Sequence, residues 1–429
     1  MTTLGNEAEL GYEPVFQLED EALKCPYDHF RAARSECPVS FSKKLGFWVV
    51  SDHENVLKVL KDTVTFSTKE MLGPQVAQEW QMLIDKAAES PEAKAVIGPH
   101  YGESPRKTLL FADPPAHTLH RKLITSALSP AAIKSWEQRI TETAEHYVDT
   151  LAVGSPVEFV THFATPYTMA VIADILGLDR ELVPQLLSWA EGFNSMVGNP
   201  NLTEDELNAL VNVRLSFDLF FAKLVIERRA NPGEDLVSRV VALNDELEEP
   251  LSTDELLMVL QLTLVGGSDT SSTALAKMIE YLTSHPDQWD AMRSDPKVIQ
   301  PFMDELLRTE SPVQGMFRAV TRDVELDGRQ MRAGDVVWLS LGAANRDPKV
   351  FPDPDDKDLS RKGIAGRFVA FGGGPHVCPG SPLTRMELRI VLEKLTGRFS
   401  RVELDGTAPA SKKSFLFFGP AQLPVTFHS

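Results

Sequence analysis

Cysteine is nearly absent from this chain, with 3 in 429 residues: Cys25, Cys37 and Cys378. An odd, low count excludes a disulfide framework and points to a reducing cytoplasm. No C-x-x-C or H-x-x-x-H pair is present, so a zinc site lacks its usual ligand pairs. Positive charge is in deficit. The 43 Lys and Arg against 61 Asp and Glu give a formal net charge of −18. Phosphate binding needs a basic surface, so nucleic acid is excluded as a partner. No apolar run approaches the ~18 residues of a membrane span. Met1 to Tyr12 has no apolar segment of the signal-peptide kind. There is no internal repeat, no low-complexity tract and no Ser/Gly linker.

What is present is ordinary globular composition, 43% hydrophobic and 24% charged, in a mostly helical pattern. Residues 1–25 are set apart as an N-terminal segment, partly disordered, ahead of one domain over 26–429. Pro26 to Glu36 predicts a short helix. Phe41-Ser42 and Gly46 to Ser51 predict a β-hairpin around Lys43 to Leu45. Phe66 to Leu110 is less regular, with helical spacing over Gln75 to Glu89. From Pro115 to Ser284 helix signals dominate. After Pro312, Arg318 to Leu326, Val336 to Leu341 and Ser414 to Phe418 predict strands.

The most informative run is Phe371-Gly372-Gly373-Gly374-Pro375-His376-Val377-Cys378-Pro379-Gly380. Its glycines let the backbone turn sharply and approach a flat ligand closely. Pro382 suits the first turn of a helix over Leu383 to Arg398. The loop therefore presents one sulfur just before a helix N-terminus, where the macrodipole favours a thiolate. That suits an axial ligand to haem iron, with backbone N–H groups tuning the sulfur and Phe371 shielding it. On the residues alone, an inert buried thiol competes with that reading.

A second anomaly sits inside the longest helical pattern, Thr253 to Ser284, which opens with the capping box Ser252-x-x-Glu255. Its apolar stretch Leu256 to Val265 gives way to Gly266-Gly267-Ser268-Asp269-Thr270-Ser271-Ser272-Thr273. Two glycines inside a helix cost on the order of 1 kcal/mol each relative to alanine. Leu262, Gly266 and Thr270 share one face at i, i+4 spacing. Gly266 leaves room for a flat ligand there, and Thr270 presents a hydroxyl beside it. A Thr hydroxyl can also bond back to the i−4 carbonyl. A kinked helix with a solvated polar patch is the alternative.

Phe371, Gly372, Gly374, His376, Cys378 and Gly380 together resemble the haem-ligand loop of the cytochrome P450 superfamily. Gly266-Gly267-Ser268-Asp269-Thr270 is similar to its oxygen-activating segment, with Gly266 where alanine is usual. Glu305-Leu306-Leu307-Arg308 resembles its Glu-x-x-Arg element, for which Arg361 is the candidate third member. On spacing alone, Glu305 and Arg308 would be a surface ion pair. Asp113-Pro114-Pro115-Ala116-His117 through Arg121 resembles its propionate-binding helix. Asn345-Arg346-Asp347-Pro348 and Phe351 match the stretch after the central strands. The likeness runs from about Tyr27 to the C-terminus. Two departures stand out: Pro379 follows the cysteine in place of a residue bearing an N–H, and Phe368 stands where many bacterial members carry His.

The resemblance implies a mainly α fold with a minor β region, a single-domain cytochrome P450 fold of the soluble bacterial type. It implies haem b held by Cys378, with His117, Arg121, Arg318 and His376 at the propionates and Phe371, Gly372, Gly374 and Gly267 around the ring. Thr270 and Asp269 become the catalytic pair, handling dioxygen and its proton supply. Leu262, Val265, Gly266, Met316, Phe317 and Phe417 become the substrate pocket. The implied activity is insertion of one oxygen atom from O2 into a terpenoid, steroid, fatty acid or aromatic. NAD(P)H would supply electrons through a separate ferredoxin and ferredoxin reductase, docking on a face with Arg121, Lys122, Arg361, Lys362 and Arg385. A cytoplasmic monomer is expected. A peroxide-driven hydroxylase and a non-enzymatic haem sensor or carrier are the alternatives.

Overall fold

The computed structural model describes residues 11–103, 109–196, 202–406 and 409–429. Its centre is the helix Thr253–Thr283, 31 residues long. The capping box that starts it is fully formed: Ser252 accepts from the Glu255 N–H, and Glu255 accepts from the Ser252 N–H. Two helices flank it, Thr165–Leu176 and Ser381–Arg398. Every residue of the first from Tyr167 to Leu176 is buried, and Gly177 ends it in the left-handed conformation that glycine tolerates. Pro130–Asp149 covers the other side of Ser381–Arg398. One continuous apolar core runs through these helices.

The β structure is minor and lies to one side. A five-stranded sheet has the order Val39–Ser42, Phe47–Val50, Val336–Ser340, Gly315–Val320, Phe66–Ser67. The predicted hairpin is there, with Phe41 opposite Trp48. The strand predicted over Arg318 to Leu326 is instead split into Gly315–Val320 and Val324–Leu326. Ser414 to Phe418 forms no strand; it contributes one isolated bridge, Phe417 to Val313. The irregular region after Phe66 contains two helices, Pro74–Ala87 and Pro91–Ile97, the first two residues shorter at its C-terminal end than expected.

Within the segment set apart at 1–25, residues 1–10 lie outside the described residues. Those that follow form the helices Glu13–Phe16 and Asp20–Lys24 and bury Tyr12, Val15, Ala22 and Leu23. The Phe16 ring lies 4.9 Å from that of Phe415 and, edge-on, 5.2 Å from that of Trp338. Residues 104–108, at the end of the less regular region Phe66 to Leu110, and residues 197–201 are outside the described residues.

Candidate haem-binding site

Ser381–Arg398 begins three residues after Cys378, so the chain must turn sharply between the sulfur and the helix. Gly372 and Gly374 adopt φ +72° and +63°, conformations that disfavour a side chain. A Cβ on Gly374 would sit 2.4 Å from the Leu60 carbonyl oxygen. Gly374 therefore lets the loop settle on the helix His53–Lys61 and is not itself among the cavity-lining residues. The Cys378 N–H bonds the Phe371 carbonyl at 2.8 Å, closing the loop. Burial pushes the Cys378 thiol up, opposed by the N–H groups of Gly380 and Ser381 and by the nearby Arg121 and Arg385. Pro379 cannot donate, and the next two residues do so in its place.

The thiol faces a cavity lined mainly by apolar side chains. Leu262, Val265, Gly266, Met316 and Phe417, five of the six residues assigned to the pocket, line it, and so does Thr270. Phe317 does not: it is buried beside Phe47 and Trp338, with ring centroids 5.2 and 4.7 Å away. The reason is the two-residue period of a strand. Met316 and Arg318 share one face of Gly315–Val320, and Phe317 turns to the other.

Thr270 donates to the Gly266 carbonyl at 2.7 Å, the predicted i−4 bond, and the helix continues unbroken through it. A Cβ on Gly266 would meet nothing within 4 Å, so alanine would fit there and narrow the cavity. Gly267 has another task. A Cβ there would lie 2.3 Å from Ile172 Cδ1, so this glycine lets Thr165–Leu176 pack close. Gly267 still lines the cavity, whereas Asp269 does not. Its Oδ1 lies 2.5 Å from Lys412 Nζ, which also reaches Thr273 at 2.8 Å.

Four cationic or donor side chains gather on the other side. The rings of His117 and His376 lie 3.9 Å apart. Desolvation holds both in the neutral form, bringing His376 down to about 3. Arg318 is 1% exposed. It donates to its own neighbours, the Phe317 carbonyl at 2.7 Å and the Met316 sulfur at 3.3 Å. Among the described residues no carboxylate lies within ion-pair distance of it. Burial brings its guanidinium down to about 10, partly offset by Asp113. Arg121 bonds the Val377 carbonyl. His117 Nε2, His376 Nε2 and Arg318 Nε are buried without hydrogen-bond partners. Unpaired buried donors are costly, and a buried guanidinium calls for an anion. Two carboxylates on the edge of a flat ligand would meet both demands.

Glu387 is a residue the sequence reading missed. It is 2% exposed and lines the cavity. The Ser271 hydroxyl donates to Oε1 at 2.5 Å, while Oε2 has no partner. Burial raises its carboxyl to about 8, with the Ser271 bond opposing. The available signal was an acid among Leu383, Leu388 and Val391 on the inner face of its helix. The Glu305 network is as predicted and buried. Arg308 grips both Glu305 oxygens at 2.8 and 2.9 Å, and Arg361 reaches Oε1 at 2.9 Å. Of the five residues assigned to a docking face, only Lys122 and Lys362 are exposed. Arg361 serves Glu305, and Arg385 pairs with Asp304 and lies 4.6 Å over the Phe371 ring. Arg121 is committed to Val377.

Among the described residues no three His, Cys, Asp or Glu side chains cluster as a metal site. The site is thus one loop-borne thiol facing a long helix across an apolar cavity, with unpaired cationic and imidazole donors at its edge. These are the features of a haem-thiolate protein. Comparison with known proteins agrees. The family model described as cytochrome P450 matches residues 70–425, and the chain belongs to that family. It is 33% identical over 398 residues to linalool 8-monooxygenase of Pseudomonas putida, covering 91% of this chain and 93% of the relative. It is 31% identical to steroid C26-monooxygenase of Mycolicibacterium smegmatis, covering 83% and 88%. The solved structure of cytochrome P450 CYP109Q5 from Chondromyces apiculatus superposes with a TM-score of 0.80 at 28% identity, covering 96% and 97% of the two chains. The protein is a monooxygenase of this bacterial type. No helix among the described residues is long and apolar enough to cross a membrane.

Proposed function

We propose that this monooxygenase carries haem b and inserts one oxygen atom from O2 into a hydrophobic small molecule. Electrons would come from NAD(P)H through a separate ferredoxin and its reductase, in a reducing cytoplasm. The observation that carries the reading is Thr270 on the wall of the cavity that Cys378 faces. The haem, when bound, supplies the iron centre at which dioxygen is reductively activated.

The chain's own residues do the rest. Cys378 provides the thiolate ligand, and the N–H groups of Gly380 and Ser381 bond its sulfur. Arg318, His117, His376 and Arg121 would hold the two propionates with charge-assisted bonds. Thr270 spends its hydroxyl proton on the Gly266 carbonyl, which leaves its oxygen lone pairs free to order a water in the cavity. Asp269, tethered by Lys412, would relay protons from outside. Leu262, Val265, Met316 and Phe417 exclude bulk water and favour an apolar substrate. The relatives named for linalool and steroids support such a substrate class.

The test is turnover of the holoenzyme on a terpenoid, steroid, fatty acid and aromatic panel. Product with NAD(P)H, ferredoxin and reductase is expected. Product with hydrogen peroxide alone and none with the electron chain would overturn the O2 route.

A further inference from the structure

The apolar cavity has polar atoms that the family chemistry above leaves unused. Gln261 is 2% exposed and lines the cavity nine residues before Thr270 on the same helix. Its Oε1 accepts from Arg214 Nη1 at 3.3 Å. A guanidinium only donates, so this contact fixes which end of the amide is oxygen. The Nε2 end is left as a donor, buried and without a partner. Trp80 Nε1 and Asn194 Oδ1, on two further cavity-lining residues, are likewise buried and unpaired. Trp80 and Phe193 bring these two elements together, their rings 6.1 Å apart.

The set is two donors and one acceptor. A hydroxyl accepts twice and donates once, so a single hydroxyl can satisfy all three. The charged or ionisable side chains lining the cavity, Arg121, His376, Cys378 and Glu387, belong to the loop, helix and propionate end. No charged side chain lines the Gln261 end itself: the Arg214 guanidinium lies behind the amide and is engaged by Asp218. Nine residues of helix span about 13 Å. Subtracting one hydrogen bond of about 3 Å leaves about 10 Å of molecule between the hydroxyl and a carbon beside Thr270.

Resting on the monooxygenase reading, we infer that the substrate is an uncharged apolar alcohol, held by its hydroxyl at Trp80, Asn194 and Gln261 and oxidised at its far end.

The experiment uses the holoenzyme with n-decane, 1-decanol and decanoic acid, three ligands of similar length. Affinity is read by haem spin-state titration and by equilibrium dialysis. Decanol is expected to bind about tenfold or more tightly than either of the others, because the analogues leave buried polar groups unpaired or bury a charge. Gln261→Leu should remove most of that preference while leaving decane affinity within about twofold. Trp80→Phe keeps the ring, removes only the N–H, and should shrink the preference severalfold. Equal affinity for all three ligands, tightest binding of decanoate, or full preference retained in both variants would overturn the inference. Failure of the unliganded protein to give a red-shifted ferrous–CO band would instead sink the haem reading on which it rests.

Discussion

Asp269 and Lys412, 143 residues apart, form an ion pair of 2.5 Å between the central helix and the C-terminal segment. Both side chains keep partial exposure, 26% and 20%. A pair of that kind contributes under ~1 kcal/mol to stability. Its position next to Thr270 gives it another consequence. Lys412→Met should leave the melting temperature within a few degrees and alter proton handling. Product per NAD(P)H should fall, peroxide release should rise, and the solvent isotope effect on turnover should grow. Thr270→Ala should give the larger loss of coupling, about tenfold or more. Coupling unchanged in both variants would remove this pair from the chemistry.

Cys378 is the one described cysteine that lines the cavity. Cys378→Ser should abolish the strongly red-shifted ferrous–CO band, and mutation of the free Cys25 or Cys37 should not. Carbon monoxide difference spectra distinguish these results directly. Survival of the band in the serine variant would end the ligand assignment.

The Glu305 network is structural. Glu305 and Arg308 are both 0% exposed, and Arg308 also donates to the carbonyls of Asn345, Pro354 and Asp356. Glu305→Ala strands two guanidinium groups, one fully buried, at a cost of about 3–5 kcal/mol. Urea denaturation should show that loss, with haem incorporation reduced in proportion. A midpoint equal to that of the unaltered protein would contradict it.

Glu387 sets a pH dependence. Burial pushes its carboxyl in the folded chain up to about 8, from about 4.5 for a solvated glutamate. Between those two values the folded chain binds the proton more tightly than the unfolded one. Stability therefore declines from about pH 4.5 to about pH 8 and then levels off, by an amount on the order of a few kcal/mol for this group alone. Glu387→Gln keeps an acceptor for Ser271 and should flatten that decline. Chemical denaturation of both proteins at pH 5, 6.5 and 8 measures it. Parallel pH profiles would place the titration elsewhere.

The parts legible in the sequence were those whose chemistry is written in contiguous residues. The cysteine loop, the capping box at Ser252 and the hydroxyl-bearing break at Thr270 each carry their own reason locally. Misplaced residues were decided by partners far along the chain. Gly267 lines the cavity as expected, but what requires a glycine there is Ile172, 95 positions earlier. Asp269 was expected to serve a proton supply, but its partner Lys412 lies 143 positions further on. Phe317 was lost to strand alternation, which becomes decisive only once the face of Arg318 is known. Gln261 stands with Thr263 as one of two polar residues in the apolar run Leu256 to Val265, and its meaning depends on Arg214 behind it.

The cluster beneath the pocket rim joins the two ends of the chain. Phe16 meets Phe317 at 6.4 Å and Phe415 at 4.9 Å. On the ribosome those partners emerge some 300 and 400 residues after Phe16. The early aromatic waits, solvent-exposed, while the helices around Thr253–Thr283 can already collapse on local contacts. Closing so long a loop is entropically late. The rim of the cavity is thus the last part of the molecule to be finished, and residues 415–418 complete it.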